Sequence, residues 1–339
     1  MRVLVVGAGA VGSFLGWAVR AGGGSTTLVR RGRDAPGPER LVAVPPTGEP
    51  VAVDVDLVPE AAGADDAPDL VIVAVKQYDV ASAVAALDAL AGVPVLTVQN
   101  GIGAEATAAA ARPGAAVLGG SLTASVERRR DGSIGWLRTG GLGLGPVQGD
   151  TAAVAGGLRA TLQAAGLPTK TFDNAPAMKW SKLVGNLVAN ATSGLLDLDP
   201  PTIYADPGLF EFERRQLNEA LDVMRAMGLP VVALPGANVP LLARAIRLPA
   251  PIARFALRRV VGGARGGKDP SLRAAVEAGG RTEVAWLNGA VARAGAEHGV
   301  ATPVNAALTA LVEEAAADAD RRAWFRGQPD RLLEALRRN

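Results

Sequence analysis

The pattern of hydrophobic positions differs between the two halves of the chain. In the first half, short β-branched runs alternate with segments in which apolar residues recur at helical spacing, such as SFLGWAVRAG and DVASAVAALDALAG. The strand-like runs are RVLVV (2–6), TTLV (26–29), LVIVAV (70–75) and VPVLTV (93–98). Strands that alternate with helices predict parallel βαβ units with helices on both faces of the sheet.

Three further elements are predicted before the pattern changes. The segment from VLGGSLTASV to GLGLGP predicts a strand and a hairpin that turns at Asp131-Gly132. A helix over about 151–165 and a short strand over 169–172 follow. These elements extend the predicted sheet beyond its parallel part.

From Asn174 onward the strand signal stops. The rest of the chain is rich in Ala and Leu at helical spacing. We therefore predict an α/β domain over 1–173 followed by an all-α domain over 174–339.

One helical segment of the second domain, KWSKLVGNLVAN, is apolar over more than half of its circumference. One narrow polar stripe runs along this segment and just beyond it, and consists of Lys179, Lys182, Asn186, Asn190 and Ser193. From spacing alone the stripe faces either a substrate or a neighbouring helix through hydrogen bonds, and both interpretations stand. Lys179, at its start, is assigned to solvent or to an N-terminal turn.

Length and composition fit a two-domain globular protein, with 339 residues of which 49% are hydrophobic and 20% charged. No cysteine is present, which excludes disulfides, thiolate metal ligands and cysteine nucleophiles, and no metal site is predicted. The first apolar run breaks into glycines and is interpreted as a strand rather than a signal peptide. No uncharged apolar run reaches the roughly 18 residues that cross a bilayer. We expect a cytoplasmic protein without a membrane partner.

Positive and negative charges are nearly balanced, at 35 Lys and Arg against 33 Asp and Glu. The stretch from Leu241 to Lys268 departs from this balance because it contains no acid and seven cations: Arg244, Arg247, Arg254, Arg258, Arg259, Arg265 and Lys268. Aromatic residues are nearly absent there, so a solvated helical face near an anionic ligand is favoured over a nucleic-acid or membrane surface.

The sequence GAGAVG places Gly7, Gly9 and Gly12 directly after the first predicted strand and before a helix. In a dinucleotide site the first glycine allows a tight turn, the second lets the backbone approach the pyrophosphate, and the third lets helix and strand pack closely. The pyrophosphate then lies at the N-terminus of the helix. This position in a βαβ unit predicts a Rossmann-type dinucleotide-binding domain.

The end of the second predicted strand indicates which dinucleotide is bound. NAD enzymes carry Asp or Glu there, whereas this chain has Arg30 and Arg31, followed by Arg33. A guanidinium can bind a 2′-phosphate through two parallel hydrogen bonds, and a carboxylate would repel it. The sequence therefore predicts NADP(H), with Arg31 as the first contact and Arg30 as the second.

Lys76 and Asn100 each come just after the carboxyl end of a predicted strand. Ligands of open α/β sheets bind at that edge, so both are candidate cofactor residues. For Asn100-Gly101 an ordinary turn is an equal alternative on these grounds.

Five motifs, in order and over nearly the whole chain, give it a specific resemblance. They are GAGAVG, VKQYDV, QNGIG, KWSKLVGNLVAN and RTEVAWLNGAVARAGAEHGVATPVN. With these motifs the chain resembles the ketopantoate reductases (2-dehydropantoate 2-reductases). The resemblance implies a Rossmann domain followed by an all-α domain, a possible homodimer, and reduction of 2-dehydropantoate to pantoate by NADPH on the way to pantothenate and coenzyme A.

The resemblance also implies residue roles. Lys182 matches the catalytic lysine of the family, Glu283 its acidic site residue, and Asn100 the asparagine near the nicotinamide. Hydride addition to a ketone leaves charge on oxygen, so Lys182 would act there as a cation and general acid.

Asn100 and three further residues would bind the substrate. By the same resemblance, Asn186 and Asn190 are the asparagines that follow the catalytic lysine, and Ser271 is the serine that meets the substrate carboxylate. The partner implied is a small 2-oxo acid, and no nucleic acid is expected.

The chain departs from the family pattern in the second domain. After Asn190 it has ATSGLLDLDPPTIYADP instead of a Leu-Thr-Ala-Leu type segment, and the basic stretch is longer than in compact members. A reductase of the same family for a different 2-oxo acid is therefore an alternative hypothesis. A non-catalytic NADP(H)-binding sensor is a third.

Overall fold

The computed structural model describes residues 1–32, 36–61, 67–263 and 270–338. They form two compact units. Unit 1 comprises 1–99, 103–179 and 234–237, and unit 2 comprises 100–102, 180–233 and 238–339. The predicted order of an α/β part followed by a helical part is confirmed. The division between the units differs from the predicted boundary at 173, because the first residues of the helix after Asn174 pack within unit 1.

Unit 1 is built on one sheet. Within the described residues its strands are β1 (Arg2–Val6), β2 (Ser25–Val29), β3 (Gly37–Val44), β4 (Val51–Val58), β5 (Leu70–Val73), β6 (Val95–Thr97), β7 (Val117–Leu122), β8 (Ser125–Arg128), β9 (Ile134–Arg138), β10 (Leu142–Gln148) and β11 (Thr169–Thr171). They lie in the order β11-β10-β7-β6-β5-β1-β2-β4-β3-β9-β8.

The central strands of the sheet are parallel, as predicted. β1 pairs with β2 on one side and with β5 on the other, and the parallel pairing continues through β6 to β7 and from β2 to β4. The hairpin predicted at Asp131-Gly132 joins β8 to β9 in antiparallel pairing. Chain order reverses at β1, so the carboxyl edge of β1 is the switch point at which such sheets bind ligands.

Alternate residues of β1 pack on opposite faces of the sheet. Val3 and Val5 belong to a core that includes Phe14 of the first helix, whereas Leu4 and Val6 belong to a second core on the other face. A strand covered on both faces needs apolar residues at every buried position, which explains the unbroken apolar run from Val3 to Val6. The helices of unit 1 are α1 (Ala10–Ala21), α2 (Val80–Ala85), α3 (Ala104–Ala111) and α4 (Ala152–Ala164).

Helix α5 (Ala175–Leu187) begins in unit 1 and continues in unit 2. The described part of unit 2 is otherwise helical and has no strand. Its helices are α6 (Asn190–Leu196), α7 (Pro200–Ala205), α8 (Pro207–Ala226), α9 (Val239–Arg247), α10 (Ala250–Gly263), α11 (Ser271–Ala278), α12 (Asn288–Glu297), α13 (Pro303–Ala317), α14 (Ala319–Phe325) and α15 (Pro329–Arg338). Among the described residues, no helix has the length and apolar character needed to cross a membrane.

Candidate active site

The glycine-rich turn between β1 and α1 has the geometry that its sequence predicts. Gly7 has φ of +108°, and a Cβ there would lie 2.9 Å from the carbonyl carbon of Ala74. A Cβ on Gly12 would lie 1.8 Å from the Gly7 oxygen, so α1 and β1 approach more closely than any side chain allows. A Cβ on Gly9 would meet nothing within 4 Å, which leaves room beside the N-terminus of α1 for an anion.

The arginines at the end of β2 have different surroundings. Both terminal nitrogens of Arg30 donate to Glu39 on β3, at 2.8 Å and 2.6 Å, whereas Arg31 is exposed. Burial opposes the ionisation of Glu39, but the hydrogen bonds and charges of Arg30 and Arg128 outweigh it and hold the pKa of Glu39 below its usual value. Arg33 lies outside the described residues.

Glu39 also connects Arg30 to the glycine-rich turn. Arg128 on β8 donates to Glu39 at 3.2 Å and to the Ser13 hydroxyl of α1 at 2.7 Å. Glu39 and Arg128 do not stand out in the sequence, because neither lies in a nucleotide-binding motif and no strand is predicted at β3. The alternating pattern of PERLVAV is the signal that could have placed Glu39 on a strand.

Lys76 lies shortly after β5, which ends at Val73, and it is exposed and precedes a short 3₁₀ turn over Gln77–Asp79. It therefore lies at the predicted carboxyl edge of the sheet. At the same edge the buried Gln99 side chain donates to the carbonyls of Val73 and Val75, at 2.8 Å and 3.0 Å. Gln99 thus ties the end of β6 to the end of β5.

The assignment of Lys179 to solvent or to a helix N-terminal turn is wrong. Its side chain is 5% exposed, and Nζ lies 2.7 Å from Oε1 of Glu105 on α3. Nζ also donates to the carbonyls of Gln99 at 2.7 Å and Gly120 at 3.2 Å. Three acceptors match the three donors of an ammonium group, so Lys179 is a buried structural cation of unit 1.

The Asn100-Gly101 turn packs within unit 2. Gly101 has φ of +85°, and a Cβ there would lie 2.3 Å from the carbonyl oxygen of Trp286. The Ile102 amide donates to that same oxygen at 3.0 Å. Asn100 is exposed, and its Oδ1 accepts from the Asn186 side chain at 3.1 Å. The turn interpretation is therefore correct for the backbone, and the turn also brings the Asn100 side chain to α5.

Lys182 and Asn186 lie one turn apart on α5 and are both half-buried. Glu283, also half-buried, immediately precedes the 3₁₀ turn Val284–Trp286 that holds the Gly101 backbone. Unit 2 therefore gathers Lys182, Asn186 and Asn100 with the segment that carries Glu283.

The predicted polar stripe is interrupted after Asn186. Helix α5 ends at Leu187, Ala189 has φ of +51°, and α6 begins at Asn190. Asn190 is buried, and Ser193 is fully buried. The stripe is therefore not one continuous surface. Lys182 and Asn186 remain predicted substrate-facing residues, whereas Ser193 faces the protein interior.

Asn190 holds the start of α11. Its Oδ1 accepts from the Leu272 amide at 3.1 Å, and its Nδ2 donates to the Ser271 hydroxyl at 3.4 Å. Ser271, the first residue of α11, is exposed. The structure thus brings together Asn190 and Ser271, and Asn190 determines where the Ser271 hydroxyl is placed.

The basic stretch forms helices α9 and α10 on either side of Pro249, so its helical character is as predicted. Arg247 forms an ion pair with Asp222 at 2.7 Å, and Arg254 donates to the Ala205 carbonyl. Arg265 and Lys268 lie outside the described residues. Within the described ranges, no three His, Asp or Glu side chains are grouped so that they could hold a metal ion.

Comparisons with known proteins show which family the chain belongs to. Residues 3–149 match the family model of ketopantoate reductase PanE/ApbA, and residues 174–316 match the model of its C-terminal domain. The chain is 30% identical to a 2-dehydropantoate 2-reductase of Halobacterium salinarum, over 94% of this chain and 100% of that protein.

Solved structures resemble the chain over most of its length. A PanE/ApbA family ketopantoate reductase from Ralstonia eutropha aligns with a TM-score of 0.75 and 25% identity, covering 95% of this chain and 100% of that one. A D-mandelate dehydrogenase, in a ternary structure with NADH and anilino(oxo)acetate, aligns with a TM-score of 0.73 and 21% identity over 96% and 99% of the two chains, and shares the fold. The chain therefore belongs to the ketopantoate reductase family, whose members are dinucleotide-dependent oxidoreductases that act on a CH–OH group.

Proposed function

We propose that the protein reduces 2-dehydropantoate (ketopantoate) to pantoate with NADPH, a step toward pantothenate and coenzyme A. The observation that carries the proposal is the grouping in unit 2 of a cation, an acid and amide side chains around one helix: Lys182 and Asn186 on α5, Asn100 hydrogen-bonded to Asn186, and Glu283 next to the turn that binds the Asn100 loop. The 2-dehydropantoate 2-reductase of Halobacterium salinarum supports the choice of substrate.

The residues of unit 1 fit a bound dinucleotide. The open space at Gly9 and the N-terminus of α1 suit a pyrophosphate, which needs close backbone approach and N–H donors. Arg31 is an exposed cation at the end of β2, where a 2′-phosphate would lie. Arg30 is partly neutralised by Glu39, so Arg31 is the main phosphate contact and Arg30 the secondary one. Lys76 lies at the same sheet edge and adds a further cation.

When bound, the reduced nicotinamide supplies a hydride to the keto carbon of the substrate. The negative charge that develops on the keto oxygen needs a cation and a proton donor, and Lys182 provides both. Glu283 provides an acidic group beside the Asn100 loop, and Asn100 orients the reacting groups through its exposed amide.

The substrate carboxylate and hydroxyl need hydrogen-bond donors and acceptors. Asn186 offers both from α5. Ser271 offers an exposed hydroxyl at the N-terminus of α11, where the helix dipole favours an anion. Asn190 binds Ser271 and so fixes this part of the site.

A different 2-oxo acid is the second candidate substrate. The segment after Asn190, where the sequence departs from the family pattern, forms the rest of α6 and the short helix α7 with the buried Tyr204. Because α6 begins at Asn190, this departure is the part of the sequence from which we infer a different acid. A non-catalytic NADP(H) sensor would not require Lys182, Asn186 and Glu283 to be retained together.

The test is a turnover assay of the purified protein with ketopantoate and a panel of other 2-oxo acids, in which the decrease in NADPH absorbance measures the rate. We expect ketopantoate to be preferred, and Lys182→Ala to reduce kcat by roughly 10²- to 10⁴-fold with nearly unchanged NADPH binding. Lys170→Ala, which removes an exposed lysine of β11, serves as the control and should retain activity. A Lys182→Ala variant with near wild-type turnover would refute the assignment, and a clear preference for another acid would replace ketopantoate.

A further inference from the structure

A buried glutamate on α8 contacts the break between α5 and α6. Glu213 is 1% exposed. One carboxylate oxygen accepts from the Ala189 amide at 2.7 Å and from the Tyr204 hydroxyl at 3.3 Å, and the other accepts from the Thr192 hydroxyl at 2.5 Å. Its partners therefore lie in the break, on α7 and on α6.

The next polar residue on the same face of α8 contacts the other side of the break. Gln216 is fully buried, and its Nε2 donates to the carbonyl of Leu187, the last residue of α5, at 3.4 Å. Helix α8 thus binds the end of α5 through Gln216 and the start of α6 through Glu213. Ala189 has a φ of +51°, a left-handed conformation that costs energy for a residue with a Cβ and that glycine would adopt more easily.

The break separates two groups of the substrate site. Asn186 and Lys182 lie on α5 before it, and Asn190 follows directly after it and holds Ser271. If Ala189 relaxed to a right-handed helical conformation, α5 and α6 would join and Asn190 would turn away from its present direction. The conformation of Ala189 therefore determines how the two groups are oriented.

We propose that Glu213 is a positioning residue of the substrate site, which acts by holding the left-handed break between α5 and α6 through the Ala189 amide and the Thr192 hydroxyl. This role rests on the proposed reduction of a 2-oxo acid at Lys182. It concerns the segment in which the sequence departs from the family pattern, since Thr192 and Tyr204 both belong to ATSGLLDLDPPTIYADP.

The chemistry of the position supports a specific role over simple packing. A buried carboxylate is expensive, and burial raises the pKa of Glu213 despite the hydrogen bonds that it accepts. A leucine at this position would fill a similar volume without that cost, but it would leave the Ala189 amide without its acceptor. The break therefore requires a hydrogen-bond acceptor at position 213.

Two hydroxyl deletions provide a matched test. Thr192→Val and Tyr204→Phe each remove one hydrogen bond to Glu213, but only Thr192 lies on α6 beside the break. We expect Thr192→Val to raise KM for the 2-oxo acid by roughly tenfold, the effect of about one hydrogen bond, with unchanged Kd for NADPH. Tyr204→Phe should leave KM within about twofold of the wild-type value. Equal KM values for the two variants would refute the proposal.

Substitution of Glu213 itself tests whether the acceptor is what matters. Glu213→Leu should raise KM at least as much as Thr192→Val, and Glu213→Gln should restore KM to within roughly threefold of wild type, because an amide can accept from Ala189 and donate to Thr192. Thermal unfolding shows whether Glu213→Leu folds. If it does not fold, the comparison of Thr192→Val with Tyr204→Phe tests the proposal. A folded Leu variant with wild-type KM, or a Gln variant as impaired as Leu, would overturn the role.

The wild-type protein separates this proposal from the proposed function. A wild type that binds NADPH but reduces no 2-oxo acid of the panel refutes the proposed function. A wild type that reduces such an acid, together with variants of Thr192 and Glu213 that retain its KM, refutes only the positioning role of Glu213.

Discussion

Replacement of the buried Lys179 by methionine should destabilise unit 1 strongly. Methionine has a similar length but no donor, so Glu105 would lose its cation, and the carbonyls of Gln99 and Gly120 would each lose a hydrogen bond. Breaking a buried ion pair by removing one partner costs about 3–5 kcal/mol. The Glu105 side chain is 13% exposed and keeps the Thr97 hydroxyl as a donor, so the lower end of that range applies, about 3 kcal/mol.

Calorimetric thermal unfolding, supported by urea unfolding, measures this loss. The double variant Lys179→Met, Glu105→Gln removes the unpaired charge and should recover about 1–2 kcal/mol of the loss. Lys170→Met is the control, because Lys170 is exposed and its replacement should change the free energy of unfolding by about 0.5 kcal/mol or less. A loss below about 1 kcal/mol for Lys179→Met, or a double variant that is no more stable than the single one, would refute this account of the lysine.

Two further predictions concern charge. Arg31→Ala should weaken NADPH binding by roughly tenfold or more and NADH binding little, because only NADPH carries the 2′-phosphate; equal losses in titrations with the two cofactors would rule out that contact. Glu213→Gln should gain stability relative to the wild type as pH rises from about 4 to 7. The folded state raises the pKa of Glu213, so above the unfolded pKa the wild type must either hold a proton or bury a charge, and the amide does neither. A stability difference that is constant across this pH range, measured by thermal unfolding, would contradict the predicted sign.

The sequence predicted best those features that local conformation dictates. The glycine-rich turn, the parallel strands around β1 and the hairpin at Asp131-Gly132 each follow from spacing and residue type within a few neighbours. The cluster of Asn100, Asn186 and the Glu283 segment was also expected, but from the order of motifs rather than from any local property. The functional roles of these residues remain predictions.

Features that depend on distant contacts were missed. Helical spacing could not show that α5 stops at Leu187, because the break depends on Glu213 and Gln216 of α8. Lys179 looked like a surface residue, since its three acceptors lie on segments far away in the sequence. The pairing of Arg30 with Glu39 likewise required a strand whose existence had not been predicted.

The turn at Asn100–Ile102 has a consequence for how the chain can be divided. It lies between β6 and α3, yet it packs within unit 2, where the Ile102 amide binds Trp286 and the Asn100 side chain binds Asn186. A fragment that starts at 174 would contain the helices but not these three residues, so the hydrogen bonds they make to Trp286 and Asn186 would be lost. The cluster of Asn100 and Asn186 with the Trp286 turn therefore needs segments that are far apart in the chain, and during synthesis it can be completed only after Trp286 has been made.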